Sequence, residues 1–467
     1  MTTVVIRERS NRLLVCGLAF LLGAPLCYTV AVGNYLLTAG LAFVGVYTAL
    51  CFMRVDVAII GYLLVAASEI NIPELEKFEY KGLILQNVLL GVLLIAVAAK
   101  IAWNKRIIVS SPLNRPLFVL FGVYVVYSFW SIGPQYPDLW ESLRAAKNIL
   151  AFPILYWIIL NSASVGSGRR PRVYLIGFML ISVIGTVHAL WKYRQVMSDF
   201  TITYWNDQRI NRGEALGETF YMTCVLAVLL LTYYVIQTQG SWSRRAAAVV
   251  GIGIFAITNM AFLYRAGTAA LIVAMIVMVI LLKQLRAIPW LVPLAAVMLI
   301  AFWFAPQILT RAESTYGIQR GGTIGFDPSF SNRKDYLWPA ALALVKTNFL
   351  WGIGYQNFER TVGMNVHNQF LSWLVELGIA GFAAGVWFYI RICQFFWRRF
   401  VLEQDEWARA IALSSLCLMV STLVWFLTHD FFLYGWLYHP LAFAGVLGAK
   451  ASHEGVARAG SAEYGSG

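Results

Sequence analysis

The feature that most limits how this chain can fold is a series of apolar segments, each near the length of a membrane-spanning helix, repeated along almost its whole length. About 20 apolar residues carry a helix across a bilayer core. Runs that reach or approach this length lie near residues 13–33, 35–53, 55–70, 82–102, 116–132, 146–160, 172–191, 218–236, 246–264, 267–282, 288–305, 370–396, 408–428 and 431–449. The runs 55–70 and 146–160 are short, so twelve to fourteen spans are expected. Composition closes the alternative. Hydrophobic residues make up 60% of the 467 and charged residues only 13%, against about 25% charged in soluble domains. A water-soluble enzyme is excluded, and the expected fold class is all-α: a polytopic integral membrane helical bundle. Aromatic residues reach 15%, and such rings favour membrane–water interfaces.

The basic residues orient the bundle. If the N-terminus is cytoplasmic, the inner loops hold Arg54; Lys100, Lys105, Arg106 and Arg115; Arg169, Arg170 and Arg172; Arg244 and Arg245; Lys283 and Arg286; and Arg391, Arg398, Arg399 and Arg409. Clusters of Lys and Arg mark cytoplasmic loops, so the expected orientation is N-in, C-in. Arg7, Arg9 and Arg12 precede a run from Leu13 that is too long for a signal peptide, and it reads as the first retained span. The expected organisation is a transmembrane bundle over 1–305 with a short outer loop at 191–217. A large outer loop follows at 306–366, C-terminal spans at 367–450, and a small, polar, disordered tail at 451–467. Within the large loop, Asn332 reads as the cap of an amphipathic helix with Leu337, Ala341, Leu344 and Val345 on one face, ended by a tight turn at Trp351-Gly352-Ile353-Gly354. The six cysteines all lie in apolar segments with no metal-ligand spacing, and read as packing residues.

Basic residues on the outer side need a reason. The first loop carries Arg209 and Arg212; the second carries Arg311, Arg320, Arg333, Lys334, Lys346 and Arg360. Loop acids such as Asp207, Glu214, Asp327 and Asp335 offset part of this charge. Arg265 stands between two apolar runs with almost no loop, where a guanidinium is costly unless it meets an anion or a cavity. Carboxylates are missing from span centres, which weakens a transporter reading.

From residue 331 the chain reads SNRKDYLWPAALALVKTNFLWGIGYQNFERTVGMNVHNQFLSWLVELGIAG. The ordered set Arg333, Trp338, Gly352, Gly354, Asn357, Phe358, His367, Asn368, Glu376, Leu377, Gly378 and Gly381 resembles the signature region of the O-antigen ligase and polymerase superfamily. The resemblance implies a metal-independent glycosyltransferase of the membrane type, with a helical periplasmic loop domain, in a bacterial inner membrane. Its donor would be a glycan on undecaprenyl pyrophosphate and its acceptor lipid A–core, among membrane lipids, with no cofactor, no metal and no nucleic acid. Polymerases and protein O-oligosaccharyltransferases of the same superfamily are the alternatives. The latter often carry an additional C-terminal region, whereas two spans and a tail fill the residues after Gly381, so the ligase reading leads.

Such a donor already has a good leaving group. Catalysis needs charge stabilisation as the glycosidic C–O bond breaks, and a base for the acceptor hydroxyl. His367 stands just before a span that begins in polar residues, where a helix N-terminus keeps the ring neutral, the form a base requires. Arg265 and Arg212 are the candidates to stabilise pyrophosphate through paired hydrogen bonds. Arg209, Arg333, Arg311, Asn368 and Gln369 are candidate substrate ligands. His188, His429 and His439 read as structural, with His429-Asp430 at an outer span end as the reserve pair.

Overall fold

The computed structural model describes residues 35–67, 85–103, 108–130, 139–162, 170–198, 220–237, 241–261, 265–283, 333–427, 429–430, 432–433 and 435–464. Among them the regular structure is helical, without strands. In chain order the helices are α1 (Tyr35–Met53), α2 (Val55–Ala67), α3 (Leu85–Trp103), α4 (Asn114–Ser128), α5 (Leu139–Asn161), α6 (Arg170–Ser198) and α7 (Phe220–Gln237). They continue with α8 (Trp242–Ala261), α9 (Arg265–Leu282), α10 (Trp338–Asn348), α11 (Asn357–Val362), α12 (Gln369–Leu402), α13 (Glu406–Phe426) and α14 (Tyr438–Tyr464). Six of the described helices are long and apolar enough to cross a membrane, and three shorter apolar helices accompany them. The chain is an all-α polytopic membrane protein.

Two spans differ from their hydropathy outlines. The short run near 146–160 belongs to α5, a 23-residue helix that starts at Leu139. Glu141, Arg144 and Lys147 on its first turns hid that extension from an apolar count. At the other end of the chain, α14 continues to Tyr464. Alanines at 449, 451, 457, 459 and 462 carry the helix through most of the segment whose small, polar composition suggests an irregular tail.

Contacts between helix ends remote in sequence define two ends of the bundle. At one end Arg170 donates to Asp56 at 2.9 Å and to Ser162 Oγ at 2.5 Å. Lys100 there donates to the Cys51 carbonyl, and Lys450 pairs with Glu403 and Asp405. Arg172 lies over the Trp407 ring and Arg409 over Phe400. These guanidinium and ammonium groups gather at helix ends and tie together segments far apart in sequence. The Asp56 side chain is 33% exposed, so losing one partner of the Arg170–Asp56 pair should cost less than the ~3–5 kcal/mol of a fully buried pair.

At the opposite end lie the starts of α7, α9 and α12 and the ends of α4, α8 and α13. Asn259 on α8 donates to the Tyr221 carbonyl at 3.0 Å. The Tyr221 ring meets Trp425 at 5.5 Å, and Gly267 on α9 packs so closely on Tyr221 that a Cβ would overlap the ring. Helix α10 packs on α12. Leu337, Ala341 and Val345 on its buried face join Ile353, Phe358, Val366 and Val375 in a small core separate from that of the bundle. The amphipathic face expected of this helix is the one that packs; Asn332, its expected cap, lies outside the described residues.

Candidate functional site

The site is organised by a break in α12. Gly378 has φ 64° and ψ −167° in the midst of helical residues, a conformation essentially confined to glycine. The break releases backbone groups that would otherwise pair along the helix. A turn from the preceding loop takes them up: Ile353 N–H donates to the Val375 carbonyl and Gly354 N–H to the Glu376 carbonyl, both at 2.9 Å. In return, Ile379 N–H donates to the Phe349 carbonyl at 3.0 Å. Irregular backbone in a membrane protein persists where such groups are re-satisfied. Close approach explains the glycines: a Cβ on Gly352 would collide with the Glu376 carbonyl, and one on Gly378 would lie 2.5 Å from the Leu350 carbonyl. The buried Glu376 carboxyl group accepts from the backbone N–H groups of Gln356 and Phe358, at the start of α11. Glu376 therefore braces the loop.

The half-helix 369–377 carries His367 immediately before its start. Asn368 caps it, accepting from Leu371 N–H at 3.0 Å and donating to the Leu427 carbonyl at 3.4 Å. Gln369 Oε1 accepts from Phe432 N–H at 2.9 Å. Both side chains thus tie the end of α13 and the segment after it to the head of α12. That tie brings His429 and Asp430 beside His367. The His367 and His429 rings are 6.2 Å apart and edge-on, and His367 Nδ1 lies 4.0 Å from Asp430 Oδ1. The latter distance is too long for a direct hydrogen bond but sets the carboxylate against the imidazole.

His367 has φ 54°. A left-handed conformation costs a non-glycine residue roughly 1–2 kcal/mol, and such outliers gather at functional sites. Val366, buried in the small core, and the Asn368 cap hold it there from either side.

The electrostatics separate the two residues of the reserve pair. Burial, with Arg333 and His367 nearby, draws the His429 imidazole down to about 3. It remains neutral at any physiological pH. Burial pushes the Asp430 carboxyl up to about 6, partly countered by the backbone N–H groups of Asp430, His367 and Val366. Asp430 Oδ1 is buried and takes no hydrogen bond among the described residues. At neutral pH it is a desolvated carboxylate facing an imidazole, the arrangement that orients a base and stabilises its protonated form. Burial also raises Tyr355, which feels Glu376, Asp430 and Glu359, and its ring meets Tyr124 at 5.3 Å.

The structure thus gathers His367, Asn368, Gln369 and Arg333 at one place, and adds Asp430. Arg265 opens α9, at the end of the bundle where Gly267, Tyr221, Trp425 and His429 form a continuous series of contacts. Its side chain lies outside the described residues, as do Arg209, Arg212 and Arg311 entirely. Asp430 lies 63 residues beyond His367 in sequence and outside the signature; the His-Asp dipeptide at a span end was its only signal.

Fold and site together define a multi-pass α-helical membrane protein with an acid–base cluster at the end of the bundle opposite Lys100, Arg170, Arg172, Arg409 and Lys450. Residues 250–386 match the family described as O-Antigen ligase. That region contains Arg265, Arg333, His367 and the Gly378 break, and over it the chain is similar to the O-antigen ligase/polymerase superfamily. Comparison with curated proteins gives no match.

Proposed function

We propose that this chain transfers O-antigen polysaccharide from undecaprenyl pyrophosphate to lipid A–core at the periplasmic face of the inner membrane. The observation that carries the reading is His367, held at positive φ with the buried Asp430 carboxylate 4.0 Å from its Nδ1, inside an O-antigen ligase domain. In the reaction the acceptor hydroxyl oxygen attacks the anomeric carbon from the side opposite the leaving group, and the configuration inverts. As that C–O bond forms, the bond to the pyrophosphate oxygen breaks and its electron pair leaves with the phosphate. His367 Nε2 takes the hydroxyl proton, and Asp430 stabilises the imidazolium across Nδ1. Arg265 and Arg212 neutralise the departing pyrophosphate, with Arg209, Arg311 and Arg333 binding donor phosphate or sugar. No step calls on a metal ion. Asn368 and Gln369 act through the backbone bonds that hold the site together.

The basic groups at the far end of the bundle support the orientation, since that end would face the cytoplasm. The matched family fits ligases and polymerases alike, so the acceptor decides between them. The test is transfer by the purified chain in bilayers, given the lipid-linked glycan and three acceptors. Transfer to lipid A–core supports the proposal. Extension of glycan on the same carrier would make the chain a polymerase, and modification of protein Ser or Thr would make it a protein O-oligosaccharyltransferase.

A further inference from the structure

The exposed stripe of α4 continues past the end of its helix. Arg115, Phe118, Val119, Gly122, Val126 and Phe129 are exposed at three- and four-residue intervals, one face of a helix. At 1.5 Å per residue, 115 to 129 spans about 21 Å, most of a bilayer core of about 30 Å. The stripe begins at the basic end and finishes, at the site end, in Trp130, which is 43% exposed. There the Trp130 ring lies 6.4 Å from Trp351, which arrives from the turn after α10 and is 63% exposed. Its neighbours Phe349 and Leu350 are exposed too. Two remote segments therefore deliver five large apolar side chains to one place, continuous with the exposed, mostly apolar stripe of α4.

We infer that the turn 349–351 is a membrane-interface anchor, in which Phe349, Leu350 and Trp351 enter the boundary between headgroups and acyl chains beside Phe129 and Trp130. The occupant of this patch is the bilayer itself. Tryptophan, with a large apolar body and one N–H donor, suits that boundary. The turn runs through Gly352 directly into Ile353 and Gly354, whose N–H groups hold the carbonyls freed at the Gly378 break. The anchor therefore fixes the height of the half-helix 369–377, and of His367 at its head, relative to the lipid headgroups. This inference rests on the membrane-spanning fold and stands whichever reaction the site performs.

Nitroxide labels test it. Leu350→Cys, Trp351→Cys and a control, Thr361→Cys, are each made with the six native cysteines replaced by alanine and reconstituted in phospholipid vesicles. Thr361 is exposed on α11 beside the Arg360–Glu141 ion pair. Labels at 350 and 351 should be relaxed mainly by oxygen, and the label at 361 mainly by a water-soluble nickel chelate. Nickel-dominated relaxation at 350 and 351 would overturn the inference. So would dipolar broadening between labels, which would assign the patch to a second copy of the chain. A second measurement keeps the native cysteines. Lipids brominated near the top of the acyl chain should quench Trp130→Phe/Trp351→Phe less than the native chain, by the share of two of its 17 tryptophans; equal quenching also refutes the anchor.

Discussion

Burial holds Asp430 and His429 in states that neither would adopt in water. The folded-state value of Asp430, about 6, lies above the ordinary 3.8, so the folded chain binds this proton more tightly than the unfolded chain does. Its contribution to stability is therefore full below about pH 4 and is lost as pH rises through 6. The loss is on the order of 3 kcal/mol, from a shift of about two pH units. His429 runs the opposite way: its folded-state value, about 3, lies below the ordinary 6.5, so stability is lost as pH falls through that window. Asp430→Asn removes only the first titration. Its melting temperature, relative to the native chain, should rise between pH 4.5 and pH 7.5, and an unchanged difference would mean that the fold does not raise Asp430 above the ordinary carboxylate range. Transfer by the native chain should increase with a midpoint near pH 6, and that limb should vanish in Asp430→Asn along with about 10²–10⁴-fold in rate. His367 was legible in the sequence because a signature surrounds it. Asp430 was legible only as half of the reserve pair with His429, because the hydrogen bonds that bring it close, which Asn368 donates and Gln369 accepts, are made across the fold.

At the scale of elements, the break in α12 is the feature that hydropathy conceals. The apolar run 370–396 passes through Gly378 without interruption, and a helix of uniform polarity gives no sign of where it bends. The Glu-Leu-Gly-Ile-x-Gly motif is legible as a pattern; its cause is the backbone exchange with 349–354. Gly378→Ala should therefore be severe. It places a side chain in a glycine-only conformation, at about 1–3 kcal/mol, and forces a Cβ towards the Leu350 carbonyl. Gly91→Ala on α3, where a Cβ meets nothing within 4 Å, should be neutral or mildly stabilising. Thermal unfolding of the detergent-purified variants checks both. A Gly378→Ala chain that melts like the native one would show that the break is not required. Helix α10 was read more completely, because a stripe at 337, 341 and 345 is a local pattern and needs no tertiary partner to be recognised.

For the molecule as a whole, the alternation of Lys and Arg clusters with apolar runs made the membrane fold evident from sequence, and the structure sets those described clusters at one end of the bundle and His367 at the other. If the basic end is cytoplasmic, Met364→Cys should react with an impermeant maleimide added outside intact spheroplasts, and Ser243→Cys only after lysis; the reverse pattern would invert the orientation. Because arginines are assigned the role of a divalent ion, transfer should persist in EDTA, and activity lost on chelation and restored by Mg²⁺ would remove that assignment. The central claim is that His367 is the base of a glycan transfer rather than a ligand for its donor. Single-turnover transfer with donor affinity measured in parallel, for native and His367→Ala chains in the same bilayers, addresses it most directly. The account predicts a rate lower by about 10²–10⁴-fold with donor affinity nearly unchanged; lost donor binding with the native rate at saturation would contradict it.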